Sequence, residues 1–330
     1  MACNLCPRRC TAERGMGQRG YCGMTEEVTV ARVAPHFWEE PCISGQKGSG
    51  TVFFSGCNLR CVYCQNHKIA AGMAGQRMTT EELVAAILSL RDRGCHNINL
   101  VTPSHYVPQI REALLQSKLD IPVVYNTSSY ECVQTLRQME GLVDIYLADL
   151  KYLDNGLARK YSHAADYPET AKAAIAEMVR QVGGIEYECM PESVDLDEVA
   201  ECGENHDPRT VARAAGAGTG REIYVRNATE YPDGALMKRG VIVRHLLLPG
   251  QAEEAKRVLR YLYETYGDTI AVSILNQYTP LPHVAAYPEL NRKVTDEEYE
   301  EVVDYALELG IGHGFLQEGQ AASESFIPNF

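Results

Sequence analysis

The chain has 330 residues, 45% hydrophobic and 23% charged, with 31 Lys and Arg against 44 Asp and Glu. That is enough apolar material for a sizeable core, which excludes a disordered chain or a mini-protein that depends on staples. A formal charge of −13 repels nucleic-acid backbones and anionic membranes, so neither is expected as a partner. No apolar run approaches the roughly 20 residues of a membrane helix, and the first residues show no signal-peptide core, so the expected location is the cytoplasm. Twelve cysteines at short spacings then point to metal or iron–sulfur ligation under reducing conditions rather than to disulfides.

Residues 1–50 read as a separate Cys-rich module with little helical or strand periodicity. Cys3, Cys6, Cys10 and Cys22 follow a C-x2-C-x3-C-x11-C spacing among Pro7, Gly15, Gly17, Gly20 and Gly23. Four thiols close a tetrahedral zinc site or ligate a [4Fe–4S] cluster, and residue type does not separate the two. Either metal would stabilise a segment too short to form a core. Cys42, in EEPCISG, is a spare ligand or a packed thiol.

From residue 51 to the end, short β-rich runs alternate with amphipathic helices. Strands are expected at 51–55, 97–101, 121–125, 143–149, 241–248 and 270–275. Such an alternation predicts buried parallel strands in βα units. Thr79 with Glu82, and Thr295 with Glu298, have capping-box spacing ahead of apolar stripes that stop at Gly94 and Gly310. Residues 169–182 and 251–266 carry further stripes. Cys95 falls at a helix end and Cys132 within a helix, both as packed thiols. Residues 184–236 interrupt the pattern and read as an insertion, with Cys189, Cys202, His206 and an Ala-Gly-Ala-Gly-Thr-Gly run. Its stretch 223–225 is a candidate edge strand.

Directly after strand 51–55 comes Cys57-Asn-Leu-Arg-Cys61-Val-Tyr-Cys64. Three thiolates on one tight loop suit a soft metal centre. A [4Fe–4S] cube so held keeps one iron without a protein ligand, free to bind a small molecule. Structural zinc sites usually pair their ligands and repeat the pair at a distance, which this spacing does not do.

This motif resembles the radical S-adenosylmethionine (SAM) signature. FFSGCNLRCVYCQN, the DLK at Asp149–Lys151, VRHLLLPG at 243–250, FLQEG and FIPNF together look like the pyruvate formate-lyase-activating-enzyme-like branch. The resemblance implies an α/β fold, an incomplete (β/α)6 TIM-type barrel. It implies that Cys57, Cys61 and Cys64 hold a [4Fe–4S] cluster whose open iron binds SAM. Reductive cleavage of SAM would give a 5′-deoxyadenosyl radical for hydrogen abstraction. A reductant such as flavodoxin or ferredoxin would supply the electron. The substrate would be a protein glycine, a peptide or a small molecule. The larger glycyl-radical activators carry paired cysteines soon after the motif; here none lies between Asn66 and Thr79, which weakens the activating label.

In a βα barrel, functional groups sit at the C-terminal ends of strands. The candidates there are Thr102 and Ser104, Asn126 and Ser128, Asp149 and Lys151, Arg244, and Asn276 and Gln277, with Gln317 and Glu318 near the end. Asp149 and Lys151 alternate, so both leave one face of an extended segment and could meet the ribose or carboxylate of SAM. Arg244, in an apolar run, needs an anion or a partner carboxylate. Tyr63 would shield the cluster or stack near adenine. His105 and His245 read as hydrogen-bonded structural residues. The rival to the enzyme is an iron–sulfur electron-transfer or metal-binding protein that leaves SAM uncleaved.

Overall fold

The structure, a computed structural model, describes residues 2–188, 221–225 and 235–317, with only the backbone of 221–225. Cys189, Cys202, His206, the run 215–220, Glu318 and the FIPNF segment lie outside the described residues.

Among the described residues, eleven strands form one main sheet: β1 (Thr29–His36), β2 (Ser49–Phe54), β3 (Gln76–Arg77), β4 (Ile98–Val101), β5 (Val123–Thr127), β6 (Ile145–Asp149), β7 (Glu186–Glu188), β8 (Arg221–Val225), β9 (Leu236–Leu246), β10 (Ala271–Leu275) and β11 (His313–Gln317). The order is β3-β1-β2-β4-β5-β6-β9-β10-β11-β8, with β7 on β9. The six anticipated strands are β2, β4, β5, β6, β9 and β10, all parallel neighbours, and β11 extends the parallel set. The fold is an incomplete α/β barrel of the TIM type, with Cys3, Cys6 and Cys10 in the Cys-rich N-terminus. The edge strand expected at 223–225 is β8, antiparallel to β11.

Helices Thr80–Asp92, Val107–Ser117, Tyr167–Val182, Ala252–Tyr266 and Asp296–Leu309 connect the strands. Both anticipated capping boxes form, at Thr79 with Glu82 and at Thr295 with Glu298. Cys132 is not inside a helix as expected. It is the N-cap of the short helix Val133–Leu136.

Residues 1–50 give no regular period, yet 29–36 form β1, antiparallel to β2. The register slips between Val30 and Arg32, and this bulge breaks the two-residue alternation that marks a strand.

Alternation along the strands divides the core. Tyr125, Tyr146, Val241 and Val243 pack outward into the large cluster beneath the helices. Val124, Ile145, Leu147, Ile242 and Ala271 face the other side and meet Cys42 and Ile43. Cys42 is therefore a packed thiol, 1% exposed. Two residues further along the same inward rows come Asn126, Asp149 and Arg244, so the apolar layer is followed by a polar one.

Candidate active site

The loop after β2 carries the three cysteines. Gly56 turns it with φ +88°, and a Cβ there would stand 2.2 Å from Met24 Cγ and 2.8 Å from the Cys22 carbonyl oxygen. Only glycine tolerates both that conformation and that approach. The Asn58 amide donates to the Tyr130 carbonyl at 2.8 Å, and Arg8 donates to the carbonyls of Asn58 and Leu59 at 2.8 and 3.2 Å. The Val62 N–H donates to Tyr161 O at 2.8 Å.

Cys57, Cys61 and Cys64 line a cavity of about 260 Å³. No other cysteine among the described residues lines it. Cys57 Sγ accepts from the Leu59 N–H at 3.4 Å, and Cys61 Sγ accepts from the Ser162 hydroxyl at 3.0 Å. Burial raises the Cys61 thiol despite the nearby Lys151 charge, and burial together with Cys57 and Cys61 raises Cys64 further. Such thiols ionise when a metal compensates their charge. Among the described residues, no three His, Cys, Asp or Glu side chains converge tightly enough to grip one ion. Ligands of a cube instead stand at separate corners, one per iron. Three thiols of one loop lining one cavity, two of them with donors to sulfur, fit a cube with one open iron.

The same cavity carries charged groups. Asp149 and Arg244 are register partners on β6 and β9. Arg244 Nε donates to Asp149 Oδ1 at 3.0 Å, Nη1 to Glu39 Oε2 at 3.0 Å and Nη2 to Asn126 Oδ1 at 2.6 Å. Lys151 Nζ bonds Asp149 Oδ2 at 2.7 Å. Burial opposes ionisation of Asp149, but Lys151 and Arg244 more than offset it and hold its carboxyl below the usual range. Asp149 likewise keeps Lys151 raised against its own burial. Of the two partners proposed for Arg244, the structure supplies the carboxylate, in duplicate.

Thr102, Asn126, Ser128, Asp149, Lys151, Arg244 and Gln277 all line the cavity with the three cysteines. Tyr63, Ser104 and Asn276 do not. Tyr63 is buried behind the cysteines, its hydroxyl accepting from Tyr152 at 2.6 Å, with Tyr278 at 6.3 Å between ring centres. Ser104 turns away to Glu131, at 2.5 Å. The Asn276 backbone N–H bonds Gln317 Oε1 at 2.8 Å. His105 Nε2 meets Ser55 O at 2.7 Å and His245 Nδ1 meets Leu150 O at 2.8 Å, and burial lowers both imidazoles to about 4. They are neutral, structural donors.

Glu39 was missed by the sequence reading. It accepts from Arg244, from Asn99 at 3.1 Å and from Asn126 at 3.3 Å, and lines the cavity beside Trp38. Two adjacent glutamates before Pro41 marked the position without placing it beside the cavity.

Residues 51–190 match the family model described as the radical SAM superfamily. Over this stretch the chain is similar to radical SAM proteins. The matched stretch begins within β2 and contains the cysteine loop, Asp149 and Lys151. A protein of Methanocaldococcus jannaschii described as uncharacterized is 25% identical over 313 residues, 92% of this chain and 74% of that protein. Two solved structures of Streptococcus suis SuiB, one bound to the precursor peptide SuiA and one to SAM, each match at 13% identity and a TM-score of 0.46. They cover 80% and 82% of this chain and 46% and 52% of their own. The chain thus spans about half the length of the solved structures it matches. No helix among the described residues is long and apolar enough to cross a membrane.

Proposed function

We propose that the protein is a radical SAM enzyme that cleaves SAM reductively and uses the radical to abstract hydrogen. The observation that carries this reading is that three thiols and a paired charge network face the same cavity. A [4Fe–4S] cluster, when bound, supplies the electron that splits the sulfonium of SAM into methionine and a 5′-deoxyadenosyl radical.

The chain's own residues do the rest. Cys57, Cys61 and Cys64 would hold the cluster through their three thiolates. Lys151 and Asp149 offer a cation for the SAM carboxylate and an acceptor for its ribose hydroxyls. Thr102, Asn126, Ser128 and Gln277 add neutral hydrogen-bonding groups. Arg244 is saturated by protein acceptors, so it acts as a positioning residue that fixes Asp149. Trp38, Phe53, Phe54, Ile69 and Leu246 provide an apolar wall that keeps water from the radical. The first substrate to test is a backbone glycine of a protein, a choice resting on the resemblance of the motifs; the alternatives are a peptide or a small molecule. The cytoplasm is the compartment proposed.

The experiment is anaerobic reconstitution, then SAM with dithionite, with 5′-deoxyadenosine as the readout. The expected result is its formation by the wild type and its loss in Cys61→Ala, with the circular dichroism unchanged because the ligands sit on a loop. Wild-type turnover in Cys61→Ala refutes the mechanism. A reduced cluster that binds but never cleaves SAM returns the protein to the electron-transfer reading.

A further inference from the structure

The second set of cysteines packs directly against the first. The Cys57 N–H bonds the Cys22 carbonyl at 3.4 Å. Arg8, two residues after Cys6, reaches the carbonyls of Asn58 and Leu59 inside the cysteine loop. The Gly56 approach described above is to the same Cys22. The N-terminal segment therefore supports the loop that carries the barrel centre.

Its four thiols gather in one place. A Cβ on Gly20 would lie 3.3 Å from Cys10 Sγ and 3.4 Å from Cys22 Sγ, so this glycine leaves room between them. Cys6 is buried within electrostatic reach of Cys22 and Cys3. Arg14, 5% exposed, is fixed by the carbonyls of Met24 at 3.2 Å and His105 at 2.7 Å, and its Nη1 lies 3.7 Å from Cys3 Sγ. Among the described residues no carboxylate forms a salt bridge with this guanidinium. A buried cation so placed calls for an anion beside it, and a set of metal-bound thiolates is one. Four thiolates complete a cube, one sulfur per iron, or a tetrahedral zinc site, and the metal counts below separate the two.

The placement also has a direction. Cys3 and Cys10 are partly exposed, whereas Cys6 and Cys22 are buried, Cys22 against the barrel loop. Residues 1–24 carry four arginines and one glutamate in a chain of charge −13. Arg9, Arg19 and Arg60 are exposed around the segment.

We propose that Cys3, Cys6, Cys10 and Cys22 hold a second iron–sulfur cluster that passes single electrons from an acidic carrier protein to the centre on Cys57, Cys61 and Cys64. The relay rests on the radical SAM reading; the metal site does not. The reduced carrier loses one electron, the N-terminal cluster takes it and yields it, and the barrel centre gains it. No bond forms or breaks, and no proton moves. The basic rim attracts the carrier, and the shared Cys22–Cys57 hydrogen bond joins the two centres.

Iron and acid-labile sulfide are counted in the full chain after anaerobic reconstitution. The wild type should hold about eight of each, and the triple variant Cys57→Ala, Cys61→Ala, Cys64→Ala about four. The quadruple variant with alanine at Cys3, Cys6, Cys10 and Cys22 should also hold about four. Zinc in the triple variant in place of iron, or full iron in the quadruple variant, overturns the site. Should the quadruple variant fail to fold, Cys10→Ser in the half-exposed position must alter the electron paramagnetic resonance signal of one reduced cluster and leave the other. The relay is read by stopped-flow reduction of the barrel centre with reduced flavodoxin. Arg9→Glu with Arg19→Glu should slow it by roughly tenfold or more at low salt, and Cys10→Ser should slow it at any salt. Equal rates overturn the relay. Cluster counts as expected without 5′-deoxyadenosine from SAM would instead fault the enzyme reading and leave the metal site standing.

Discussion

Adjacent residues of β5 face two buried carboxylate sites that are held in opposite states. Asn126 points into the cavity, where Asp149 and Glu39 share Arg244, and Lys151 adds a second cation beside Asp149. Thr127 bonds Glu131, which receives the hydroxyls of Ser104 and Thr127, each at 2.5 Å, with the Tyr125 hydroxyl beside it. Glu131 Oε2 and the Tyr125 hydroxyl nearby are buried without a hydrogen-bond partner. Asp149 stays ionised because countercharge outweighs burial. In Glu131 burial outweighs the hydroxyl hydrogen bonds, and its carboxyl rises to about 7. Neutral donors to one oxygen of a buried acid do not replace the countercharge that keeps it ionised.

The largest way to break this contrast is to remove the cation. Arg244→Met would leave Glu39 and Asp149 facing each other with Lys151 alone. Breaking a buried pair from one side costs about 3 kcal/mol or more. The denaturant midpoint should fall accordingly at pH 7, and SAM cleavage should fall with it because Asp149 loses its position. A loss under about 0.5 kcal/mol, typical of surface changes, would mean the network is solvated and the contrast false.

A smaller effect comes from the other side. Glu131 binds its proton more tightly folded, at about 7, than unfolded, at 4.5. Between those values the native state holds more protons than the unfolded state, so stability falls as pH rises through that window. The loss approaches roughly 3 kcal/mol above it. Glu131→Gln cannot ionise and can still accept from Ser104 and Thr127. The stability difference between variant and wild type should therefore grow in the variant's favour from pH 4.5 to pH 8. A difference that stays flat would show that water or a cation reaches Glu131 and that it resembles Asp149 after all.

The two sites were unequally legible in the sequence. The parallel strands stood out because both faces are buried and their runs are continuously apolar, and a lone Arg244 in such a run forced the expectation of a partner. Alternation then placed Asp149 and Lys151 on one face. Glu39 escaped because β1 is bulged and lies in a segment with no clear period, so nothing indicated that 37–48 returns beneath the cavity. Ser104 was assigned to the mouth because it follows a strand end; its neighbour Thr102 lines the cavity, but the 3-10 turn Ser104–Tyr106 swings Ser104 to Glu131. Tyr63 was read as a cofactor neighbour from its place in the motif. A tyrosine hydroxyl requires a partner when buried, and Tyr152, eighty-nine positions away, is not a pairing that periodicity can reveal.

The smallest effect sharpens the comparison at the cysteines themselves, where neutral donors again approach an anionic group. Ser162 Oγ lies 3.0 Å from Cys61 Sγ and 3.1 Å from Tyr152 Oη, and Tyr152 donates onward to Tyr63. A hydroxyl that donates to a cluster thiolate favours the reduced, more negative state. Ser162→Ala should lower the potential of the barrel cluster by roughly 20–60 mV, the one-electron equivalent of a hydrogen bond of about 1 kcal/mol. Tyr152→Phe leaves Ser162 free to donate only to sulfur, so it should leave the potential in place or raise it slightly. Opposite responses of the two variants assign the Ser162 proton to Cys61. A potential unmoved by Ser162→Ala would assign that proton to Tyr152 instead, and the cysteine would then rely, like Asp149, on the nearby Lys151 charge.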